Sequence, residues 1–153
     1  MKPLSTLDID KILKNNHVTR NMFLGTYPAC IIPKTKKTKY SFVSNTDIHS
    51  QSGRHWVAWV IEDDEVLFFD SFGRTVFDPT LPNYYRDFVK NFKIVKCNTI
   101  QVQDIKSVAC GYFCIHFIYL ASLGMNFKHF LRDYSINLKL NDVIVFDIIN
   151  SLI

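Results

Sequence analysis

The sequence predicts an α+β domain in which helices are layered against a central mixed or antiparallel sheet. The predicted elements run helix, strands, helix, strand and then helices, which differs from the regular alternation of a parallel α/β fold. Hydrophobic residues make up 48% and charged residues 21% of the chain, close to ordinary globular usage. The length of 153 residues is about that of one domain and no linker divides it, so we expect a single domain over residues 1–153.

The first part of the chain predicts a capped helix, a turn and a short strand. Ser5 precedes an amphipathic apolar pattern over residues 7–13, which is typical of a helix start. Residues 23–28 end in a turn signal, and residues 40–43 suit a short strand. Lysines crowd the predicted loop before that strand: Lys34, Lys36, Lys37 and Lys39.

A hairpin is the clearest feature in the middle of the chain. Residues 56–61 and 66–70 form two apolar runs rich in aromatic and β-branched residues, joined by a polar tip at residues 62–65. Because both runs are continuously apolar, we expect them to be buried on two faces at the centre of the sheet.

The second half predicts one more strand and several helices. The apolar run at residues 108–123 is shorter than the ~20 residues of a membrane span and indicates a buried helix. We expect Pro82 near the first turn of the preceding helix, and Asn141 or Asp142 as the cap of the last one. The expected elements are a helix over 79–91, a strand over 92–100, a helix over 108–123 closed by Gly124, and helices over 127–134 and 141–152.

Charge and cysteine content suggest the surroundings of the protein. The net charge is +4, but residues 1–39 alone hold eight Lys or Arg and two Asp, so this basic front suggests an acidic partner such as nucleic acid. Residues 1–10 are polar and do not resemble a secretory leader. We therefore expect a reducing compartment, with thiols rather than disulfides at the four cysteines, no membrane association and a monomer.

Cys110 is the candidate nucleophile. It lies where the buried helix is predicted to begin, and the partial positive charge of a helix N-terminus favours a thiolate. Gly111 beside it would leave room for a substrate carbonyl. The alternative is a buried cysteine that acts only as a small hydrophobic residue. A zinc site is not expected, because the spacing of Cys110, Cys114 and His116 is not that of a zinc knuckle.

His55 and Asp70 are the candidate base and its orienting acid. His55 immediately precedes the first strand of the hairpin and Asp70 ends the second, so both fall at its open end, within plausible contact. An imidazole can take a thiol proton, and a carboxylate can hold the imidazole in one tautomer. The alternatives are a surface histidine and an aspartate that caps a turn.

Gln103 and Trp56 complete the candidate site. A glutamine amide can donate to the oxyanion of a tetrahedral intermediate, together with the backbone N–H of Cys110. Gln101 is two residues away and stays an alternative to Gln103. Trp56, next to His55, could line the substrate groove or simply cover the core.

The combined order of these residues resembles the adenain family, the maturation cysteine proteases of adenoviruses. The resemblance also includes the opening segment Phe23-Leu24-Gly25-Thr26-Tyr27 and the seven-residue step from Gln103 to Cys110. The shared motifs read Gly53-Arg54-His55-Trp56, Asp70-Ser71-Phe72-Gly73, Gln103 and Cys110-Gly111-Tyr112-Phe113-Cys114.

The resemblance implies a papain-like or adenain-like fold and a cysteine endopeptidase that cleaves viral, or virus-like element, precursor proteins during capsid maturation. It implies His55 as base, Asp70 as orienting acid, Gln103 as oxyanion donor and Cys110 as nucleophile. It also implies DNA or a short peptide as possible activators, no obligatory cofactor, and a location in the virion and host nucleus. The lysines at positions 34, 36, 37 and 39 are the candidate DNA contacts. Cys97 does not match the family's peptide-tethering position.

Three other functions stay open. The pair Asp70-Ser71 resembles proteases that remove SUMO-like modifiers, whereas adenain has Glu and Pro there, so an isopeptidase with the same four residues is an alternative. The same set could transfer an acyl group. The fold could also serve as a catalytically idle binding or assembly module.

Overall fold

The computed structural model describes residues 1–46 and 55–153. Within them the chain forms helices and strands in the order α1 Thr6–Asn15, β1 Phe23–Tyr27, β2 Lys39–Asn45, β3 Trp56–Glu62, β4 Glu65–Phe69, α2 Asn83–Val89, β5 Ile94–Cys97, α3 Cys110–Ser122, α4 Phe127–Arg132 and α5 Leu138–Leu152. The predicted α+β class is confirmed.

The sheet is mixed, and its strands follow the chain order β1-β2-β3-β4-β5. Strands β2, β3 and β4 pair antiparallel, while the two outer pairs, β1 with β2 and β4 with β5, are parallel. Strand β3 occupies the centre, as its continuous apolar run predicted, and all of its residues except Glu62 are buried.

Two hydrophobic cores cover the two faces of the sheet, because side chains alternate along each strand. On β3, Trp56, Ala58 and Val60 face the core formed with α1, α3, α4 and α5. The alternate residues of β3 face a second core, which includes Tyr85 and Val89 of α2. The central sheet therefore lies between helical layers.

Helix α3 is the buried helix that the sequence predicts, and its first nine residues are all buried. It begins at Cys110, two residues later than expected. Gly124 ends it with φ +87°, a left-handed conformation that glycine adopts without strain. None of the helices in residues 1–46 and 55–153 combines the length and the apolar character that crossing a membrane requires.

Several boundaries differ from the sequence-based expectation. Residues 23–27 form strand β1 rather than only a turn; the register of β1 against β2 shifts between Phe23 and Thr26, an irregularity that weakens the strand pattern. Helix α2 and strand β5 are shorter than expected, and Pro82, expected near the first turn of α2, is its N-cap.

The predicted cap of the last helix is wrong. Asn137 caps α5, where its side chain accepts a hydrogen bond from the Leu140 N–H at 3.2 Å. Asn141 and Asp142 lie inside the helix and are buried. Their side chains are instead used in contacts with residues 102–107.

Candidate active site

The open end of the β3–β4 hairpin brings His55 and Asp70 together. His55 directly precedes β3 and Asp70 directly follows β4, and His55 Nε2 lies 2.6 Å from Asp70 Oδ1. Both residues are buried, so water competes little for this hydrogen bond. The lengths of the two strands predicted that both residues lie at the open end of the hairpin, and the structure places them there.

Asp70 is held as a carboxylate by several donors. Besides His55, its side chain accepts from the Phe72 N–H at 2.9 Å and from Arg74 Nε at 2.7 Å. Burial acts to raise the pKa of Asp70, but His55, the charge of Arg74 and the Phe72 N–H outweigh burial and lower it. Asp70 is therefore charged at neutral pH and can orient an imidazole.

Cys110 is the first residue of α3, and its side chain forms a hydrogen bond with His55. Because Asp70 contacts Nε2, the ring nitrogen left for the sulfur is Nδ1. Burial alone would lower the pKa of His55, but the hydrogen bonds and charges of Asp70 and Cys110 outweigh it and raise the pKa of His55 to about 9. The ring therefore carries its second proton at neutral pH, and an imidazolium beside a sulfur stabilises the thiolate.

A cleft of about 880 Å³ opens over these residues. Its wall includes the predicted site residues His55, Trp56, Gln103 and Cys110. The remaining lining residues are Pro3, Leu4, Thr46, Phe72, Arg74, Ile105, Lys106, Ser107 and Val108. The histidine–cysteine pair is therefore open to a ligand from this cleft.

Gln103, rather than Gln101, reaches the cleft. The Gln103 side chain is fully buried, with its oxygen accepting from Ser71 Oγ at 2.6 Å and its nitrogen donating to the Ser107 carbonyl at 3.1 Å. Gln101 is exposed and donates to the Gln103 carbonyl. The segment 101–103 is not a strand, so the expectation that both glutamines point the same way does not apply.

Gly111 does not line the cleft, which corrects the expectation that it makes room for a substrate. A Cβ at Gly111 would lie 3.1 Å from Leu4 Cβ and 3.4 Å from Ile9 Cδ1. The missing side chain therefore allows close packing of α3 against the N-terminal segment and α1. Trp56 does line the cleft, where its indole N–H donates to the Leu4 carbonyl at 3.0 Å.

Three residues without a predicted role support Asp70 and His55. Phe72 stacks on the His55 ring, and Arg74 binds the Asp70 carboxylate. Asn98 holds the Asp70 backbone from both sides, since it accepts from the Asp70 N–H at 3.0 Å and donates to its carbonyl at 2.6 Å. Phe72 lies in the motif Asp70-Ser71-Phe72-Gly73 that resembles adenain, whereas no pattern in the sequence around Arg74 or Asn98 indicates these contacts.

The remaining sequence candidates are placed away from the cleft or outside the described residues. The four lysines at positions 34, 36, 37 and 39 are exposed; Lys37 donates to the Asn21 carbonyl and Lys39 pairs with Glu62 at 3.4 Å. Gly53 and Arg54 of the histidine motif lie outside the described residues. Among the residues that the structure describes, no three His, Cys, Asp or Glu side chains are grouped as a metal site would require.

The sequence of this chain is similar to those of two adenovirus proteases. The protease of Snake adenovirus serotype 1 is 32% identical over 118 residues, covering 67% of this chain and 57% of that protein. The protease of Bovine adenovirus 4 is 28% identical over 138 residues, covering 78% of this chain and 65% of that protein. The chain thus spans less than two thirds of the length of these curated relatives. No protein-family model matches it.

Two solved structures share the fold. The crystal structure of the ASFV protease covers 94% of this chain and 66% of its own, with a TM-score of 0.62 and 16% identity. The SUMO protease Ulp1, solved with its catalytic cysteine oxidised to a sulfinic acid, covers 99% of this chain and 80% of its own, with a TM-score of 0.53 and 11% identity. These likenesses concern the fold alone.

Proposed function

We propose that this chain, which is adenain-like and has the fold shared with SUMO-deconjugating proteases, is a cysteine endopeptidase. The observation that carries the proposal is the hydrogen-bonded series Cys110–His55–Asp70 at the wall of an open cleft. The adenovirus relatives are named proteases, which supports the same activity.

The catalytic cycle follows from the charges of these groups. The Cys110 thiolate attacks the carbonyl carbon of the scissile peptide bond, and the carbonyl electrons move to oxygen. His55, protonated at Nδ1, gives that proton to the leaving nitrogen as the C–N bond breaks, which leaves a thioester on Cys110. His55 then takes a proton from water, the hydroxide attacks the thioester, and the acid product leaves as the thiolate is restored.

Two donors would stabilise the oxyanion in each step. The Cys110 backbone N–H lies in the first turn of α3, the end of the helix whose dipole favours negative charge. Gln103 is among the residues that line the same cleft, and its side-chain nitrogen contacts the Ser107 carbonyl and hydroxyl, so its role as oxyanion donor rests on the resemblance to adenain. Removal of one donor of this kind typically slows catalysis by about 10²–10³-fold.

The substrates we propose are precursor proteins of a virus or a virus-like element, cleaved during capsid maturation in the virion and host nucleus. The relatives are proteases of adenoviruses, which supports a viral setting, and the resemblance to adenain supplies capsid maturation as the process. DNA is a further proposed partner, and its phosphates would contact the exposed lysines at positions 34, 36, 37 and 39. A short peptide activator is a second possibility that the resemblance to adenain raises.

The test is cleavage of a fluorogenic peptide library, rich in glycine-containing sequences, by the wild-type chain and by Cys110→Ala. We expect wild type to cleave a subset and Cys110→Ala to cleave none, with both proteins melting at nearly the same temperature. Cys97→Ala serves as the control, because Cys97 lies in β5 outside the cleft residues and should leave cleavage intact. A Cys110→Ala protein that still cuts would refute the mechanism.

An isopeptidase that removes ubiquitin-like modifiers is the second candidate. Asp70-Ser71 favours it, because this pair resembles the SUMO-protease pattern. A SUMO or ubiquitin probe with a reactive C-terminal tail distinguishes the two activities. Covalent labelling of Cys110 by the probe supports the isopeptidase, whereas cleavage of library peptides without labelling supports the endopeptidase.

A further inference from the structure

The chain turns back on itself directly after Asp70, and this turn brings Arg74 beside the same residue. The Gly73 N–H donates to the Asp70 carbonyl at 2.8 Å, and the Phe72 N–H donates to Asp70 Oδ1 at 2.9 Å. Aspartate side chains commonly close turns in this way, by binding the backbone two residues further along. Arg74 therefore comes to lie next to Asp70, and its Nε donates to Asp70 Oδ2 at 2.7 Å.

The two carboxylate oxygens of Asp70 have different partners. Oδ1 accepts from the Phe72 N–H and lies 2.6 Å from His55 Nε2, whereas Oδ2 accepts from Arg74. Asp70 has no exposed surface, so removal of Arg74 would take this donor from Oδ2 at a place that water reaches poorly. A carboxylate held at both oxygens cannot rotate without breaking a charge-assisted hydrogen bond, and Oδ1 therefore stays directed at His55.

Arg74 also differs from His55 in the kind of charge that it brings to Asp70. An arginine guanidinium is always charged, whereas an imidazole loses its charge as the pH rises. Burial of Asp70 acts to raise its pKa, and the charge of Arg74 acts to lower it. The titratable and charged groups around the His55–Asp70 pair, from the segments before β3 and after β4 and from α2 and α3, are Arg74, Asp78, Tyr85, Cys110 and Cys114. Among these groups, Arg74 is the one whose positive charge does not depend on pH.

The Arg74 side chain extends from the wall of the cleft to the buried carboxylate. It is 28% exposed and is among the residues that line the cleft. One of its terminal nitrogens lies 3.4 Å from Thr80 Oγ1, and Thr80 in turn donates to Asp78 Oδ1 at 2.6 Å. The guanidinium is thus placed by the turn after Asp70 on one side and by the segment before α2 on the other.

We propose that Arg74 is a positioning residue, which holds the Asp70 carboxylate so that Oδ1 stays directed at His55 and stays charged in acidic solution. This inference rests on the proposed protease function, in which Asp70 orients the base. A protonated Asp70 would lose the charge that stabilises the imidazolium. The ion pair with Arg74 therefore sets how far into the acidic range the chain cleaves peptides.

The first test is the pH profile of kcat/KM for the library peptide that wild type cleaves best. In Arg74→Gln we expect kcat/KM at pH 7 to fall about tenfold, less than in Asp70→Asn, because the carboxylate remains but is held less well. We also expect the acidic decline of activity to begin at a higher pH, since the effect of burial on the pKa of Asp70 is then opposed by one charge fewer.

Two further variants separate the charge of Arg74 from its geometry and from folding. Arg74→Lys keeps the positive charge but not the planar guanidinium, so the acidic decline should stay near that of wild type while the rate at pH 7 recovers only in part. Arg86→Gln is the matched control, because Arg86 is also half-buried and binds the carbonyls of Asp78 and Leu81 in the same segment; it should keep the wild-type profile. An Arg74→Gln enzyme with the pH profile of wild type overturns the proposal, and a change in KM alone would assign Arg74 to substrate binding instead.

The second test does not depend on activity. The side-chain carboxyl carbon of Asp70 is followed by NMR in ¹³C-labelled protein during an acid titration, and its signal is assigned by its absence in Asp70→Ala. We expect the protonation midpoint at a higher pH in Arg74→Gln than in wild type, Arg74→Lys or Arg86→Gln. Equal midpoints in wild type and Arg74→Gln, or a clearly raised midpoint in Arg74→Lys, contradict the positioning role. A wild-type chain that cleaves no peptide contradicts the proposed protease instead, so the two failures are distinguishable.

Discussion

The imidazole of His55 lies flat against the phenyl ring of Phe72, with ring centroids 4.4 Å apart and planes inclined by 12°. The Phe72 backbone N–H also donates to Asp70, the acid that binds the same imidazole. One residue therefore covers a face of the His55 ring and helps to hold its carboxylate partner. The stacking keeps the plane of the His55 ring fixed while its Nε2 contacts Asp70 and its Nδ1 faces Cys110.

Loss of the Phe72 ring should weaken catalysis moderately. Aromatic stacking of this kind is worth about 0.5–1.5 kcal/mol, which corresponds to a decrease in kcat of roughly two- to tenfold for Phe72→Ala. Phe77→Ala is the matched control, because Phe77 is 57% exposed and is not among the cleft residues. Steady-state kinetics of both variants check this, and equal effects at the two positions contradict the assigned role.

The pH dependence of cleavage should report the proton on His55. The leaving nitrogen needs that proton, and the pKa of His55 is raised to about 9, so kcat/KM should fall as the pH rises through about 9. Asp70→Asn removes the carboxylate that helps to raise this pKa, so the alkaline decline should move toward the ordinary value of 6.5. Activity of this variant at pH 7 should drop by about 10²-fold or more. A decline near pH 6.5 in wild type contradicts the assigned protonation state.

Gly73 should be more costly to replace than Gly124, although both have positive φ. A Cβ at Gly73 would lie 2.8 Å from the Gln101 backbone nitrogen, whereas a Cβ at Gly124 would meet nothing within 4 Å. The left-handed conformation alone costs an alanine about 1 kcal/mol, and the backbone clash adds to it at Gly73. We expect Gly73→Ala to lower the free energy of unfolding by roughly 3 kcal/mol and Gly124→Ala by about 1 kcal/mol. Urea denaturation measures both, and similar losses would show that the turn moves away from residues 100–101.

The four lysines before and at the start of β2 should give DNA binding its salt dependence, if DNA binds there. Each phosphate contact contributes about 0.9 to the slope of log K against log salt. Replacement of Lys34, Lys36, Lys37 and Lys39 by Gln should therefore reduce the slope for duplex DNA by about 2–4. A control protein with Lys90, Lys93, Lys128 and Lys139 replaced by Gln loses the same charge elsewhere. Equal reductions in both proteins contradict a site at these lysines.

The sequence predicted the parts of the site that depend on local pattern. The apolar run after Cys110 indicated the buried helix, and the two apolar strands indicated a hairpin with His55 and Asp70 at one end. Strand pairing within a hairpin is nearly determined by the turn, so contacts across it can be inferred without coordinates.

Contacts between distant segments could not be predicted in this way. The role of Gly111 depends on where Leu4 packs, and the choice between Gln101 and Gln103 depends on a segment without regular structure. Asp142 resembled a helix cap because Asn and Asp favour caps, yet its partners lie in the turn at residues 104–107, far away in the chain. No periodicity or spacing encodes such a contact.

The most direct test of the account is the rate of iodoacetamide alkylation of Cys110 at pH 6, measured by mass spectrometry in wild type and in His55→Gln. If the protonated His55 ring stabilises the thiolate, Cys110 should react at least about tenfold faster in wild type than in the variant. Cys97, half-buried and with its pKa raised by burial, should react slowly and equally in both proteins. A Cys110 rate that does not change when His55 is replaced would contradict the ion pair on which the proposed catalysis depends.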